Sequence, residues 1–333
     1  MSTLTQFDSG PDTGAAKLVN LQVSNWQTRT SAADNDWQGI AWNGTVFAVV
    51  SQSGASNRVM TSPDGITWTI RTSAADNNWR AIAWNGTLFA AVASSGTGNR
   101  VMTSPDGITW TIRTSAANNF WLAIAWNGTV FAATNASGTA SGIMTSPDGV
   151  TWTNRNSPNA LGWYGIAWNG TVFAAVANNG VNNGVMTSPD GITWTARTSA
   201  SDRQWVAIAW NGTVFCAVAL SGDINRVMTS PDGITWTSRV AAAQSGWRAI
   251  AWNGTVFVAV STGGPANSLM FSANGINWSL VSSPNNFGGA CMAWNGLGTA
   301  PMYLLPAAGT GTVFAAAGGT DKQVMTSLFL KDE

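Results

Sequence analysis

Charge is the scarcest property of this chain. Only 9% of its 333 residues are charged, and 15 Lys and Arg residues balance 15 Asp and Glu residues. A typical soluble chain carries about 25% charged residues. Because no basic excess is available to neutralise phosphates, the composition argues against a nucleic acid partner. The polar surface must instead be built from Asn, Ser, Thr and Gly.

Groups that commonly serve catalysis and metal binding are also scarce. The chain has no histidine, and its only glutamate is Glu333. Cys216 and Cys291 lie far apart in apolar segments, which favours buried free thiols over a disulfide. Since no metal-ligand spacing is found, we expect neither a metal nor a cofactor. The first residues contain no apolar run, so we expect no signal peptide, no membrane insertion, and a location in a virion or the cytoplasm.

Tryptophan is abundant, and all 20 copies follow a period of 42 residues. The length of the chain alone would suggest two domains. The repeat predicts a single domain instead, because each unit can bury its faces only against its neighbours. The three series are Trp26, Trp68, Trp110, Trp152, Trp194, Trp236 and Trp278; Trp42, Trp84, Trp126, Trp168, Trp210, Trp252 and Trp294; and Trp37, Trp79, Trp121, Trp163, Trp205 and Trp247.

One unit, residues 37–78, reads as four short strands. WQGIAW is followed by Asn-Gly, a strong signal for a type I′ hairpin in which both turn residues have positive φ. TVFAVV and RVMT form the next two strands, and Ser-Pro-Asp-Gly favours a tight turn before ITWTIR. The position two residues after the opening tryptophan is always small, as expected for strands crowded around an axis.

Four antiparallel strands per unit of about 40 residues are typical of a propeller blade. Seven AWNG motifs predict an all-β, seven-bladed β-propeller of 42-residue blades. The last unit lacks a fourth strand, so we expect residues 18–29 to close blade seven. The predicted organisation is a tail at 1–17, a single propeller at 18–333, and an insert at 297–312 in blade seven.

The phrase SPDGITW resembles the Asp-box of sialidase-like (BNR) propellers, although its spacing differs by one residue between Asp and Gly. The resemblance implies a propeller fold and a structural turn role for Asp64, Asp106, Asp148, Asp190 and Asp232. Sialidases pair a tyrosine nucleophile with a glutamate, whereas this chain offers Tyr164 and Tyr303 and no internal glutamate. A sixth box carries Asn274 in place of Asp, which suits a turn and not a titrating group. We therefore expect no enzymatic activity, with a degenerate glycosidase as the least favoured reading.

Variation between units is concentrated on one face of the disc. Asn-Gly and Asp-box turns occupy the nearly invariant face, and the loops after strands two and four occupy the other, which we call the variable face. Recognition residues tend to lie on variable loops held by a rigid scaffold. The alternatives are that these loops only face water and that the opening tryptophans are core residues. The candidate ligand-binding residues are Gln38, Arg80, Tyr164, Arg248, Arg58, Arg100, Arg226, Trp37 and Trp79.

A series of arginines follows the fourth-strand tryptophan. A charge on the outer edge strand prevents edge-to-edge pairing, and we prefer this structural interpretation to a ring of ligand contacts. The series comprises Arg29, Arg71, Arg113, Arg155, Arg197 and Arg239.

Apolar residues outside the repeat predict a docking patch near blade seven. The alternative is a frayed terminus and a loop without function. The candidate docking residues are Phe7, Met302, Tyr303, Leu304, Leu305 and Phe329.

Together these features favour a non-enzymatic binding or display module. A neutral, repeat-built disc suits a phage virion protein of the tail or capsid that recognises host surface glycans and docks to a protein partner. A soluble bacterial lectin and an intracellular assembly scaffold are the alternatives.

Overall fold

The computed structural model describes residues 4–7, 18–21, 27–179, 183–261, 269–281, 289–294, 312–318 and 324–329. Side-chain environments are described within 29–179, 183–261, 269–281 and 291–293. Every regular element in these ranges is a β-strand, as the all-β prediction requires. Three strands precede the first blade: β1 (Leu4–Phe7), β2 (Leu18–Leu21) and β3 (Gln27–Arg29).

Six complete blades follow, each formed by four consecutive antiparallel strands. Blade 1 contains β4 (Trp37–Trp42), β5 (Phe47–Ser51), β6 (Val59–Ser62) and β7 (Thr69–Arg71). Blade 2 contains β8 (Trp79–Trp84), β9 (Phe89–Ala93), β10 (Val101–Ser104) and β11 (Thr111–Arg113). Blade 3 contains β12 (Trp121–Trp126), β13 (Phe131–Asn135), β14 (Ile143–Ser146) and β15 (Thr153–Arg155). Blade 4 contains β16 (Trp163–Trp168), β17 (Phe173–Ala177), β18 (Val185–Ser188) and β19 (Thr195–Arg197). Blade 5 contains β20 (Trp205–Trp210), β21 (Phe215–Ala219), β22 (Val227–Ser230) and β23 (Thr237–Arg239). Blade 6 contains β24 (Trp247–Trp252), β25 (Phe257–Ser261), β26 (Leu269–Ser272) and β27 (Ser279–Val281).

The prediction of a seven-bladed propeller is wrong, because the structure shows six complete 42-residue blades. The remaining four-stranded sheet is a composite of both chain ends, in the order β28-β29-β30-β3. Its first three strands are β28 (Gly289–Trp294), β29 (Thr312–Gly318) and β30 (Val324–Phe329), and β3 supplies the outer strand. The unit is not a 42-residue blade, since β28 and β29 are separated by the long insert and its fourth strand comes from the chain start. We call it the composite sheet.

Closure uses a shorter segment than residues 18–29. Only β3 joins the composite sheet, with Gln27 opposite Thr326 and Arg29 opposite Val324. The outer strands of the complete blades are also three residues long, so three residues fill this position. Strand β2 pairs instead with β1, in a separate two-stranded antiparallel sheet. Part of the predicted tail is therefore a strand, and residues 297–311 of the predicted insert lie outside the described residues.

The core lies between blades. Each first strand contacts the first strands of its neighbours, and β28 contacts β4, so the ring of inner strands is closed. In one cluster, Val50 and Val59 of blade 1 pack against Trp79, Phe89 and Met102 of blade 2. A buried tryptophan hides about 150–250 Å², which contributes about 4–6 kcal/mol as an upper bound. The tryptophan repeat therefore stabilises the boundaries between blades.

Close contact of the inner strands explains the small residues near the axis. A Cβ on Gly39 would lie 2.8 Å from Cα of Ala81 in the next blade. At Gly165 it would lie 3.0 Å from the carbonyl oxygen of Val206. The prediction of an obligatory small residue at this position is confirmed.

The Asn-Gly turns differ from the predicted type I′ hairpin. Oδ1 of Asn43 accepts the backbone N–H groups of Thr45 (2.9 Å) and Val46 (2.8 Å). Only Gly44 has a positive φ, of 100°. The asparagine side chain thus organises a longer turn, and the second strand begins at Phe47 and not at Thr45.

The Asp-box is a turn closed by side chains. Oδ1 of Asp64 accepts the N–H groups of Ile66 (2.8 Å) and Thr67 (2.9 Å), and Nε1 of Trp68 donates to the carbonyl oxygen of Gly65 (3.1 Å). Because these bonds extend the turn, the fourth strand begins at Thr69 and not at Ile66. The predicted turn role is confirmed, and the same Oδ1 bonds are made by Asp106, Asp148, Asp190, Asp232 and Asn274.

Candidate binding site at the axial mouth

The residue after each opening position is a β-bulge. In blade 2, Trp79 pairs with Ala93 and Ala81 pairs with Val92, so Arg80 has no partner in the ladder. Bulges re-aim side chains and are frequent beside functional sites. The positions whose residue type varies most between units are therefore the ones that have no partner in the strand ladder. These residues are Gln38, Arg80, Leu122, Tyr164, Val206, Arg248 and Ala290.

Arg80 is fixed by a relay that starts at a carboxylate of blade 1. Its Nη1 donates to Oε1 of Gln38 (3.1 Å) and to Oε1 of Gln52. Nε2 of Gln38 donates to Oδ1 of Asp36 (2.6 Å), and Nε2 of Gln52 donates to Oδ2. Both carboxylate oxygens of Asp36 are thus occupied by amides that in turn hold the guanidinium.

Arg248 of blade 6 and Tyr164 of blade 4 occupy the bulges equivalent to that of Arg80. Burial lowers the pKa of Arg80, the charge of Arg248 lowers it further, and Asp36 and Tyr164 raise it. In the part of the chain that the structure describes, ion pairs join Arg58 to Asp76 and Arg203 to Asp223, and none involves Arg80 or Arg248. We call the group formed by Asp36, Gln38, Gln52, Arg80, Tyr164 and Arg248 the axial mouth.

Arg80 retains hydrogen-bonding capacity that the protein does not use. Its Nε is buried and has no hydrogen-bond partner. No hydrogen bond of the Arg248 side chain is found among the described residues, and no ion pair either. A partly buried site with two cations and free donors is suited to an anionic group.

The two candidate tryptophans do not belong to this site. Trp37 and Trp79 are 0% exposed, and their Nε1 atoms donate to the carbonyl oxygens of Ala33 (3.3 Å) and Ala75 (3.0 Å). Their interpretation as ligand contacts is corrected, because neither ring presents a face to solvent. They are core residues, the alternative that the sequence left open.

The three loop arginines are held within the variable face by backbone carbonyls. Nε of Arg58 donates to Gly54 (2.8 Å), and Nε of Arg100 donates to Gly96 (2.7 Å). Arg226 makes the equivalent bond to Gly222 (3.1 Å). These side chains brace their own loops, which is a structural role that the sequence did not reveal. Arg58 also donates to the backbone carbonyl oxygen of Gln52 (2.9 Å), beside the axial mouth.

Sequence reasoning missed two members of the axial mouth. Asp36 and Gln52 lie in loops, where the repeat gives no fixed residue type for comparison. The available signal was in the alignment of units, since 42 residues further on the chain carries Asn78 and Ser94. Only blade 1 therefore combines a carboxylate and an amide at these two places with Gln38.

The outer-strand arginines have structural partners in the same blade. Nε of each donates to the hydroxyl of a third-strand threonine at 2.9 to 3.0 Å, which supports the structural interpretation over a ligand ring. The pairs are Arg71–Thr61, Arg113–Thr103, Arg155–Thr145, Arg197–Thr187 and Arg239–Thr229. A concavity of about 450 Å³ lies beside Arg155, between Asn127 of blade 3 and Ile192 of blade 4.

The predicted docking patch falls mostly outside the described residues. Met302, Tyr303, Leu304 and Leu305 are not described, and Phe7 and Phe329 are described only as strand positions. The docking hypothesis stays a prediction. The prediction that Cys216 and Cys291 are buried and form no disulfide is confirmed.

The described residues also bear on metal binding and on membrane-spanning helices. Within the described ranges, no cluster of three or more His, Cys, Asp or Glu side chains could hold a metal ion. The same ranges include no helix with the length and hydropathy needed to span a membrane.

No protein-family model and no curated protein sequence matches the chain. Among solved structures, a virginiamycin B lyase from Staphylococcus aureus is similar at a TM-score of 0.73 and 12% identity, over 92% of this chain and 99% of that one. YCF48 from Cyanidioschyzon merolae gives 0.60 and 14%, over 92% and 98%. A chain of a mitotic checkpoint complex gives 0.68 and 14%, over 100% and 99%. Identities this low show the fold alone: a β-propeller with four-stranded, tryptophan-containing blades.

Proposed function

We propose that the chain is a non-enzymatic recognition module that binds its ligand at the axial mouth. The observation that carries this proposal is that Arg80, Tyr164 and Arg248 occupy equivalent bulges on the inner strands of three blades, where the repeat sequence varies most. A closed ring of strands holds these bulges in place, and rigid scaffolds reduce the entropy lost on binding.

The chemistry of the axial mouth favours binding over catalysis. Its one carboxylate, Asp36, has both oxygens engaged by amide donors, so it is poorly placed to accept a proton from a substrate. The Asp-box aspartates are used in turns on the opposite face. We also propose that the chain shares its turn motif with the sialidase-like Asp-box family but does not share the activity of that family. The lyase neighbours are enzymes by name, and a bond-cleaving activity that requires Arg80 would contradict this reading.

Host surface glycans are the ligand class that we propose, with a phage virion as the setting and a soluble lectin as the alternative. Sugars offer hydroxyl groups to the neutral amides of Gln38 and Gln52, and acidic sugars add an anion for the arginines. Avidity from several copies on a virion would offset a weak single site.

A glycan array with the purified full chain tests this function. We expect binding to a subset of glycans, reduced at least tenfold by Tyr164→Ala or Arg248→Ala. Arg203→Ala is the matched control, since Arg203 lies on the variable face but is paired with Asp223 at 2.9 Å. Loss of binding in the control alone, or no binding to any glycan, would contradict the proposal.

A protein partner is the second candidate, as expected for an assembly scaffold or a docked virion subunit. Other propellers with this fold include YCF48 bound to a D1 peptide and a chain of a mitotic checkpoint complex. Co-purification of the full chain with a defined partner, lost on deletion of residues 1–17 with the blades still folded, would support docking. Unchanged co-purification after the deletion would place the contact elsewhere.

A further inference from the structure

We propose that Phe120 extends the axial mouth into blade 3 and stacks against the apolar face of a pyranose ring, while the Tyr164 hydroxyl bonds to a hydroxyl of the same sugar. This inference rests on the proposed glycan recognition, and it names a residue and a class of sugar that determine specificity. Three features support it: the exposure of Phe120, its place in blade 3, and the environment of Tyr164.

Among the residues whose side chains the structure describes, Phe120 is the only aromatic residue that is exposed, at 54%. Isolated exposed apolar residues are common on proteins, so the position and the neighbours of Phe120 decide its role. Cζ of Arg100 lies over the ring, 6.0 Å from its centroid. One face of the ring is therefore turned to a cation, and a ligand can cover the other face. The repeat does not require an aromatic residue here, since the equivalent residues are Asp36, Asn78, Gly162, Gln204 and Gly246.

Phe120 holds in blade 3 the place that Asp36 holds in blade 1. The backbone N–H of Asp36 donates to Oγ of Ser53 (2.7 Å), and that of Phe120 donates to Oγ of Ser137 (3.1 Å). Asp36 contacts Gln38, the bulge residue of blade 1 and a member of the axial mouth. Because the two backbones are anchored in the same way, Phe120 lies at the rim of the axial mouth.

Tyr164 of blade 4 borders the same loop as Phe120. The carbonyl oxygen of Phe120 accepts the backbone N–H of Ala136 (2.9 Å). A Cβ on Gly162 would lie 3.2 Å from the carbonyl oxygen of Ala136 and 3.3 Å from Cε2 of Tyr164. The glycine therefore lets the tyrosine ring approach the loop that holds Phe120.

The polar group of this tyrosine is available to a ligand. Its side chain is half-buried, and no hydrogen bond of the Tyr164 hydroxyl is found among the described residues. A phenol hydroxyl can both donate and accept, and so can each hydroxyl of a sugar. A pyranose combines an apolar C–H face with a hydroxyl edge, which matches an aromatic face beside a phenol. A sugar is thus favoured over a purely apolar ligand, which would leave the Tyr164 hydroxyl without a partner.

Titration of the full chain with methyl β-D-galactopyranoside and with galactitol, followed by saturation-transfer NMR, tests the inference. The galactoside presents contiguous C–H groups on one face of its ring, whereas the open-chain galactitol has hydroxyls but no ring. We expect the galactoside to bind about tenfold more tightly, which is the size of a good aromatic contact. Saturation should transfer mainly to the protons of the apolar face.

Substitutions of Phe120 separate stacking from an apolar contact of any shape. Phe120→Ala and Phe120→Leu should each weaken galactoside binding about tenfold, because neither keeps an aromatic ring, and Phe120→Tyr should retain the affinity. Tyr164→Phe should weaken binding several-fold, since only the hydroxyl is lost. Ile224→Ala is the matched control, because Ile224 is an exposed apolar residue of the variable face, at 46%, and its loss should leave the affinity unchanged. A circular dichroism melt verifies that each variant is folded.

Equal binding of the galactoside and galactitol, no binding of the galactoside, or unchanged affinity in folded Phe120→Ala, Phe120→Leu or Tyr164→Phe variants would overturn the inference. The glycan array tells its failure apart from failure of the recognition function. If array binding is lost in Arg248→Ala but unchanged in Phe120→Ala, recognition at the axial mouth stands and stacking fails. If array binding is lost in Phe120→Ala but unchanged in Arg248→Ala and Tyr164→Ala, the stacking residue stands and recognition at the axial mouth fails.

Discussion

Nη1 of Arg80 lies 3.1 Å from Oε1 of Gln38, across the boundary between blades 2 and 1. Both residues are bulges, and both occupy the position that varies most between units. The repeat is otherwise nearly invariant, so the residue type differs between units mainly at this position near the axis. The contact is oriented by Asp36, which holds the Gln38 amide at 2.6 Å.

Asp36→Ala removes the origin of this relay. We expect little change in the free energy of unfolding, about 1 kcal/mol, because the affected amides can turn towards water. Ligand affinity should fall several-fold, since Arg80 is no longer held in one orientation. Calorimetric titration and urea unfolding measure the two effects. Asp202→Ala, in an exposed loop of the variable face, is the control, and equal affinity loss in both variants would refute the relay.

Opening tryptophans offer a matched pair for testing a buried hydrogen bond. Nε1 of Trp79 donates to the carbonyl oxygen of Ala75 at 3.0 Å, whereas Nε1 of Trp163 is buried without a partner. Trp79→Phe should therefore cost about 1–2 kcal/mol more than Trp163→Phe in free energy of unfolding, because only the first substitution leaves a carbonyl unsatisfied. Urea unfolding of both variants gives the difference. A larger loss for Trp163→Phe would contradict the assignment.

Close packing at the axis gives a prediction about volume. A Cβ on Gly39 would lie 2.8 Å from Cα of Ala81, and backbone cannot move aside as a flexible side chain can. We expect Gly39→Val to lower the free energy of unfolding by about 3 kcal/mol, near the upper end of overpacking costs. Gly44→Ala is the comparison, since no atom lies within 4 Å of its new Cβ and only the positive φ opposes it. If Gly44→Ala were the more destabilising of the two in a urea titration, steric crowding would not explain the small residues at the axis.

The repeat was sufficient to predict the blade, because a 42-residue period with Trp37, Trp42 and Trp68 at fixed places encodes strand faces directly. It was insufficient to count the blades. The AWNG motif recurs at Trp294, but Gly289 replaces the opening tryptophan and a long insert follows. The AWNG motif predicts the first two strands of a unit. It does not indicate which part of the chain supplies the fourth strand.

The turn boundaries and the candidate site could also be predicted only in part from the sequence. Asn43 and Asp64 were identified as turn residues, but their side-chain bonds extend each turn into the next predicted strand. Arg80 and Arg58 looked equivalent as variable-face arginines. Only three-dimensional contacts separate them, because the guanidinium of Arg58 is occupied by loop carbonyls and the Nε of Arg80 is free.

The Asp-box turns predict a dependence of stability on pH. For Asp148, hydrogen bonds from the Thr151 and Val150 N–H groups and the Ser146 hydroxyl lower the pKa against the opposing effect of desolvation. A carboxyl whose pKa is lower in the folded state stabilises the fold above its unfolded pKa, near 3.9, and loses that contribution as pH falls through the folded value. We expect thermal stability to be constant from pH 7 to about pH 5 and to fall below about pH 4. Asp148→Asn should reduce this acid sensitivity, and Asn274 provides a native precedent for the amide. An unchanged acid transition in Asp148→Asn would show that this box does not contribute.

The hydrogen bonds of Arg100 give a prediction that separates loop stability from ligand affinity. Its Nε donates to the carbonyl oxygen of Gly96 at 2.7 Å, and its Nη1 donates to those of Ser94 (3.0 Å) and Asn119 (2.8 Å). These bonds connect the loop between the second and third strands of blade 2 to the loop after its outer strand. A lysine keeps the charge but cannot make these divergent bonds from a planar fork. We expect Arg100→Lys to lower the free energy of unfolding by about 1–2 kcal/mol and to leave glycan affinity unchanged. Arg248→Lys should show the opposite pattern, since the Arg248 side chain has no structural partner to lose. Reduced affinity with unchanged stability in Arg100→Lys would instead make this loop arginine a ligand contact.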